Sequence, residues 1–210
     1  MSMYDLLHIY DSGVNALIRI GFKNRSADYT LDVSATGTKH KDVLMWSPVG
    51  TLKLPEELDV GGTKALVDAL DDLVKKGHSF RRVVFSTHGS PGAIWIGDEA
   101  IDATVLNTLF ASRNYHRLFP LFSRMYFSGC HVAAGNNGDM FLEAVGRIFL
   151  ASKGGVAFGW DSYGLALPWG EEHIFGTAKY VSFAPGGTVV DRYTGLDEFK
   201  RKHPDAWFLQ

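Results

Sequence analysis

Short apolar runs bounded by glycine, aspartate and serine alternate along this chain with longer segments of helical spacing. Leu6–Tyr10 is the first run and stops at Asp11-Ser12-Gly13, the composition of a strand ending in a turn. Val14 to Phe22 and Tyr29 to Val33 alternate loosely on either side of Lys23-Asn24-Arg25-Ser26, which predicts a hairpin or an edge pair. Between Gly61-Gly62 and Gly77 the residues Ala65, Leu66, Ala69, Leu70, Leu73 and Val74 fall at helical spacing, and Lys75-Lys76 supply the charge suited to a helix C-terminus. Arg82–Thr87 then reads as a buried strand, and Ala93–Ile96, between Gly92 and Gly97, as a short strand beside it. Asp102 is placed to cap a helix through about Ala111, and Arg124–Ser128 is another buried strand running into Gly129-Cys130.

Asn137–Ala151 predicts an amphipathic helix with Met140, Phe141, Ala144, Val145, Ile148 and Phe149 on one face. The preceding Gly135-Asn136-Asn137-Gly138 fits no nucleotide-binding fingerprint and reads as a loop. Gly155–Trp160 is strand-like and ends at Asp161; Phe175–Phe183 and Thr188–Val190, joined through Pro185-Gly186-Gly187, predict a C-terminal hairpin, and Pro204 and Trp207 a packed tail. Strand and helix alternating from residue 63 to 160 predict an α/β fold with a mostly parallel sheet, so ligands are expected beyond the carboxyl ends of its strands.

Composition narrows the partners. With 210 residues, 46% hydrophobic and 21% charged, the chain predicts a single globular domain over 1–210. A formal charge of −2 gives no broad cationic field, which argues against nucleic acid. No stretch approaches the ~18 apolar residues of a membrane span. The start, Met1-Ser2-Met3-Tyr4-Asp5, lacks a basic n-region, so a cytoplasmic location is expected, with export by a route lacking a cleavable signal left open. Cys130 is the sole cysteine, which leaves no internal disulfide and no Cys-rich zinc site. The histidines show no His-x-x-x-His spacing, so neither metal nor organic cofactor is expected. Oligomeric state is not legible.

Two of the buried strands end in reactive side chains, Thr87-His88-Gly89-Ser90 and Ser128-Gly129-Cys130-His131, with His88 and Cys130 separated by 130 − 88 = 42 residues. In a parallel sheet both open at the same edge. An imidazole across a cleft can take a thiol proton and return it to a leaving group, which is a Cys-His dyad in outline. Glycine beside each reactive residue lets backbone N–H groups approach a carbonyl, the usual construction of an oxyanion hole. The plainer alternatives are an inert buried cysteine and a turn histidine, but the paired signatures on successive strand ends favour the dyad. His131 adjoins the cysteine, and neighbouring residues at a strand end point apart, so a structural or rim role is expected of it.

The order strand-His-Gly, helix, strand-Gly-Cys resembles the caspase-like (clan CD) cysteine peptidases, which include caspases, metacaspases, gingipains and clostripain-like enzymes. More narrowly, His88-Gly-Ser-Pro-Gly92 with Trp95-Ile-Gly97, then Tyr126-Phe-Ser-Gly-Cys-His-Val-Ala-Ala134 and Gly138-Asp-Met-Phe-Leu142, is similar to bacterial caspase-like domains of the CHAT and DUF4347 type. The likeness covers about residues 63–162. It implies a caspase-like three-layer sandwich, His88 as general base and acid, Cys130 as nucleophile, and the N–H groups of Gly89 and Cys130 as oxyanion donors. The caspase Gln-Ala-Cys-x-Gly run is absent, and position 128 is Ser where metacaspases carry Asp. Acidic residues near this edge often select Arg or Lys in the resembling families, so Asp161, and secondly Asp11, are candidates to bind a basic P1 side chain, with an ordinary backbone-capping turn weighed equally for Asp161.

The expected activity is therefore endopeptidase cleavage of a protein or peptide through a Cys130 thioester. A non-catalytic caspase-like binding or regulatory module is the alternative, since a fold does not fix a function. An α/β-hydrolase esterase falls further behind because no Gly-x-Ser-x-Gly elbow occurs.

Overall fold

The computed structural model describes residues 2–11, 29–33, 62–167, 170–173 and 176–202. In chain order the elements are β1 (Ser2–Tyr10), β2 (Tyr29–Asp32), α1 (Thr63–Lys75), β3 (His78–Ser86), β4 (His88–Ser90), β5 (Ala93–Ile96), β6 (Glu99–Asp102), β7 (Ser123–Phe127), α2 (Gly135–Phe149), β8 (Gly155–Trp160), β9 (Gly164–Leu167), β10 (Gly170–His173), β11 (Ala178–Phe183), β12 (Val189–Thr194) and α3 (Leu196–Lys202). Helical turns at Ala103–Val105, Leu106–Phe110 and Tyr115–Leu118 lie between β6 and β7.

The main sheet has seven strands in the order β12-β11-β8-β7-β3-β1-β2. From β8 to β2 neighbours are parallel, whereas β11 runs antiparallel to β8 and to β12. This is the α/β, mostly parallel arrangement that the alternating pattern predicts, and β11–β12 is the expected C-terminal hairpin. Side-chain alternation sorts each strand onto two faces. Leu7, Ile9, Val83, Phe85, Met125, Phe127 and Ala157 join a core with Leu66, Leu70 and Leu73 of α1 and Phe141, Leu142 and Val145 of α2. Leu6, Val84, Tyr126, Val156, Phe158 and Tyr180 form a second cluster with Phe199 of α3. There Tyr126, Phe158, Tyr180 and Phe199 stack in a row at centroid spacings of 4.6, 5.0 and 4.6 Å. Each such pair adds about 0.5–1.5 kcal/mol beyond area burial. Among the described residues no helix is long and apolar enough to cross a membrane.

Several expectations need correction. Ala93–Ile96 is a strand, but it does not lie beside β3. It pairs antiparallel with β4 and β6 in a separate three-stranded sheet. The reason is the turn at Pro91-Gly92, where Gly92 at φ 80° doubles the chain back on itself, while the place beside β3 is taken by β7 through the Phe85–Phe127 register. Gly135-Asn136-Asn137-Gly138 is not a loop but the first turn of α2. Met140 does not share the buried face; it is 52% exposed, lying about 100° around the helix from Phe141 on the side away from Leu142. Tyr29–Asp32 is a strand, paired in parallel with β1 at the end of the main sheet. Residues 14–22 and the tail at Pro204 and Trp207 lie outside the described residues.

The small sheet is fastened to the main body by two carboxylates. Gly62 precedes α1 without offering a capping side chain, and the first turn of α1 holds no acidic residue. Glu99 of β6 fills that role from a distance: its Oε2 accepts from the Thr63 N–H at 2.8 Å. A Cβ on Gly62 would stand 2.9 Å from the Glu99 carboxyl carbon, so glycine leaves room for the contact. Asp11, at the end of β1, accepts through Oδ2 from the Gly97 N–H at 2.6 Å. Hydrogen bonds from Thr63 hold the Glu99 carboxyl below the ordinary glutamate range. A lowered folded value stabilises the fold above the unfolded pKa, and that contribution is lost as pH falls through the folded one. Glu99→Gln should therefore flatten the decline of Tm on acidification, measured by thermal denaturation from about pH 7 to about pH 3.

Candidate active site

The parallel strands run out together. Tyr10 lies opposite Ser86, Phe85 opposite Phe127, and Phe127 opposite Gly159. The residues that follow, Asp11, Thr87-His88, Ser128-Gly129-Cys130 and Asp161, therefore collect at one edge. The chain winds from β1 to β2 on one side and then to β3, β7 and β8 on the other, so this edge contains the point where winding reverses. Such reversals leave a crevice beyond the strands' carboxyl ends.

Glycine brings the two reactive turns into contact. A Cβ on Gly89 would stand 2.5 Å from the Cys130 carbonyl oxygen and 2.8 Å from the Gly129 carbonyl carbon. A Cβ on Gly129 would stand 3.0 Å from both Cα and N of Gly89. The two backbones touch with no side chain between them, and Val132 packs over the junction, its Cγ2 2.5 and 2.9 Å from those same two points. His88 and Cys130 are thus carried by adjoining residues on facing segments. His88 is exposed and Cys130 half-buried, so neither residue is sealed in the core. Gly89 and Cys130, the residues expected to supply oxyanion donors, belong to this same junction.

Each turn is held from outside. The Gly92 N–H donates to the Val132 carbonyl at 3.1 Å, tying the β4–β5 turn to the cysteine loop. The Ser128 N–H donates to the Phe85 carbonyl at 2.9 Å and carries the β3–β7 ladder one residue further. From the β8 side, the Ser162 and Trp160 carbonyls accept from His131 and Ala133 N–H at 2.8 and 2.9 Å. His131 is the one non-glycine residue with positive φ, 57°, among those described. Its Nδ1 lies 2.8 Å from the Asp161 carbonyl oxygen, which can only accept, so Nδ1 carries the proton. Tyr163 meets the imidazole edge-on at 4.2 Å. These contacts fit the structural or rim role expected of His131.

The two carboxylates expected to receive a basic side chain both have backbone partners. Asp161 is half-buried, and its Oδ1 accepts from the Thr177 N–H at 2.5 Å. Asp11 is 3% exposed and holds Gly97 as described. Among the described residues no group of three or more His, Cys, Asp and Glu side chains could hold a metal ion. Sequence reasoning did not reach Val132, the Gly92–Val132 bond, or the buried polar side chains beneath the turns. Only the run of glycines at 89, 92 and 129 hinted at such close approach.

Residues 59–153 match DUF4347, a domain of unknown function. The match agrees with the DUF4347 part of the expected likeness and does not bear on its caspase-like part. It includes α1, both reactive turns and α2, and it stops before β8, so Asp161 and Asp11 lie outside it. No curated protein and no solved structure matches the chain.

A side chain forced into the glycine junction should be costly. Gly89→Ala must displace the Cys130 carbonyl or Val132, and overpacking of this kind destabilises by about 1–3 kcal/mol. The expected outcome is a lowered denaturation midpoint with unchanged m-value in urea, and slower alkylation of Cys130.

Proposed function

We propose that this protein is a caspase-like cysteine endopeptidase in which Cys130 is the nucleophile and His88 the general base and acid. The observation that carries the reading is the Gly89–Gly129 backbone contact, which sets a partly exposed thiol and an exposed imidazole on adjoining segments at the carboxyl edge of a parallel sheet. His88 takes the Cys130 proton, and the thiolate sulfur bonds to the scissile carbonyl carbon. The C–N bond then breaks as His88 returns the proton to the amine, leaving a thioester. Water, deprotonated by His88, attacks the thioester, the C–S bond breaks and the thiol is regenerated. N–H groups of Gly89 and Cys130 face the developing oxyanion; loss of one such donor in other enzymes costs about 10²–10³ in rate.

For substrate selection, Asp161 remains the carboxylate at this edge with partial exposure. Its Oδ1 is engaged by Thr177, so a basic P1 side chain meets the other oxygen alone. That arrangement removes the two-pronged geometry that favours Arg and leaves Lys and Arg on similar terms. A P1-scanned peptide library should show comparable turnover of the two, and Asp161→Asn should abolish the basic preference while sparing a neutral substrate.

The decisive experiment is labelling by a peptidyl electrophile with mapping of the modified residue, which should be Cys130. Cys130→Ala and His88→Ala should each abolish peptide hydrolysis with cooperative unfolding retained, and the double variant should be no worse, because groups acting as a unit are non-additive. Alkylation of Cys130 should be slower in His88→Ala than in the wild type, measured with iodoacetamide across a pH series. A wild-type protein whose alkylation is unaltered by His88→Ala and that cleaves no peptide is a binding module instead.

A further inference from the structure

Three buried polar side chains from adjacent strands lie beneath the two turns and take no part in the chemistry above. His8 of β1 and Ser86 at the end of β3 are both 0% exposed, and Ser128, just past β7, is 6% exposed. Ser128 Oγ donates to Ser86 Oγ at 3.5 Å, and Ser86 Oγ stands 2.9 Å from His8 Nε2. Ser86 precedes His88 by two residues, and Ser128 precedes Cys130 by two.

By alternation these side chains share the face of Leu6, Val84 and Tyr126, which is otherwise an apolar layer. Small apolar side chains could fill the same places, because replacing both partners of a buried hydrogen bond by apolar groups is often nearly neutral. Packing alone therefore does not call for a histidine and two serines in a row. A hydrogen-bonded chain has what apolar contact lacks, which is direction. Its Ser86–Ser128 link spans the two strands whose ends carry the imidazole and the thiol.

We propose that His8, Ser86 and Ser128 are positioning residues for the His88–Cys130 pair, and that the hydroxyl chain sets the relative placement of the β3 and β7 ends. The proposal rests on the peptidase reading. It acts on geometry alone, since no member of the chain touches substrate and no proton is transferred along it. A misplacement of about 1 Å between reacting groups can cost up to about a hundredfold in rate.

The test uses the full chain with Ser86→Ala, Ser128→Ala, the double variant and Ser128→Thr, which keeps the hydroxyl. Three quantities are read: the pH profile of Cys130 alkylation by iodoacetamide, kcat and KM on a peptide that the wild type cleaves, and Tm. The titratable groups at this edge, His8, His88, His131, Asp11 and Asp161, are unchanged in every variant, and Ser86→Ala alone removes a direct partner of one of them, His8. The expected result is a Tm near wild type in Ser128→Ala and a lower Tm in Ser86→Ala, where buried His8 Nε2 loses its partner, with a fall of roughly tenfold or more in alkylation rate and a lower kcat with KM unchanged in both. The double variant should be no worse than either single one, and Ser128→Thr should recover most of the loss. The proposal is overturned if the alanine variants keep the wild-type profile and kcat, if Ser128→Thr recovers nothing, or if activity falls only in step with Tm. Should Ser86→Ala fail to fold, Ser128→Ala at the strand end decides. Wild-type alkylation unaltered by His88→Ala would sink the peptidase reading itself, whereas alkylation slowed by His88→Ala but unmoved by the serine variants would sink only the positioning role.

Discussion

The approach of the backbone at Gly89 to the backbone at Gly129 is the constraint on which the candidate site depends. Neither the main sheet nor the small one needs that contact for its own hydrogen bonding. It exists where the β4 segment leaves the plane of β3 and is laid against the turn after β7. The surrounding bonds, from Gly92 to Val132, from His131 to Ser162 and from Ala133 to Trp160, grip the cysteine turn from two sides. The turn is thereby fixed by its neighbours rather than by any regular element of its own. That accounts for the left-handed backbone of His131, a conformation that a non-glycine residue keeps only when its surroundings over-determine it.

Much of this was legible in the chain because the pattern and the physics agree locally. Leu66, Leu70 and Leu73 mark α1 at helical spacing, and the apolar runs of β3, β7 and β8 are bounded by polar or glycine residues, as buried parallel strands require. His88 and Cys130 stand out as candidates because each sits just past the end of such a run, beside a glycine. Asp102 was legible as a cap, and its side chain accepts from the Val105 N–H at 2.8 Å.

What was not legible depends on partners far apart in sequence. Ala93–Ile96 has the composition of a main-sheet strand, and only the turn at Gly92 and the competing claim of β7 move it elsewhere. Met140 fits the helical period, yet it lies about 100° around the helix from Phe141 on the side away from Leu142. The start of α2 also sits two residues earlier than expected, where Gly138 lies against the Ala133 backbone. Glu99 capping a helix 36 positions away has no local signal at all. His8 lies within the apolar run Leu6–Tyr10, and its partner Ser86 is 78 residues distant, beyond the reach of any pattern argument.

The small sheet carries one half of the candidate pair and the main sheet the other. The spacing of His88 and Cys130 is thus a distance between two bodies, and its stiffness is that of the seam joining them. Among the described residues that seam includes the glycine junction, the backbone bond at Gly92, the two carboxylate clasps at Glu99 and Asp11, and the apolar packing of Ile94, Ile96 and Ile101 in the main core. A rigid-body slip of the three short strands would part His88 from Cys130 while every strand in both sheets stayed intact. Such a slip would also have to draw Ile94, Ile96 and Ile101 out of the main core, so the apolar packing that folds the chain is what holds the two turns together.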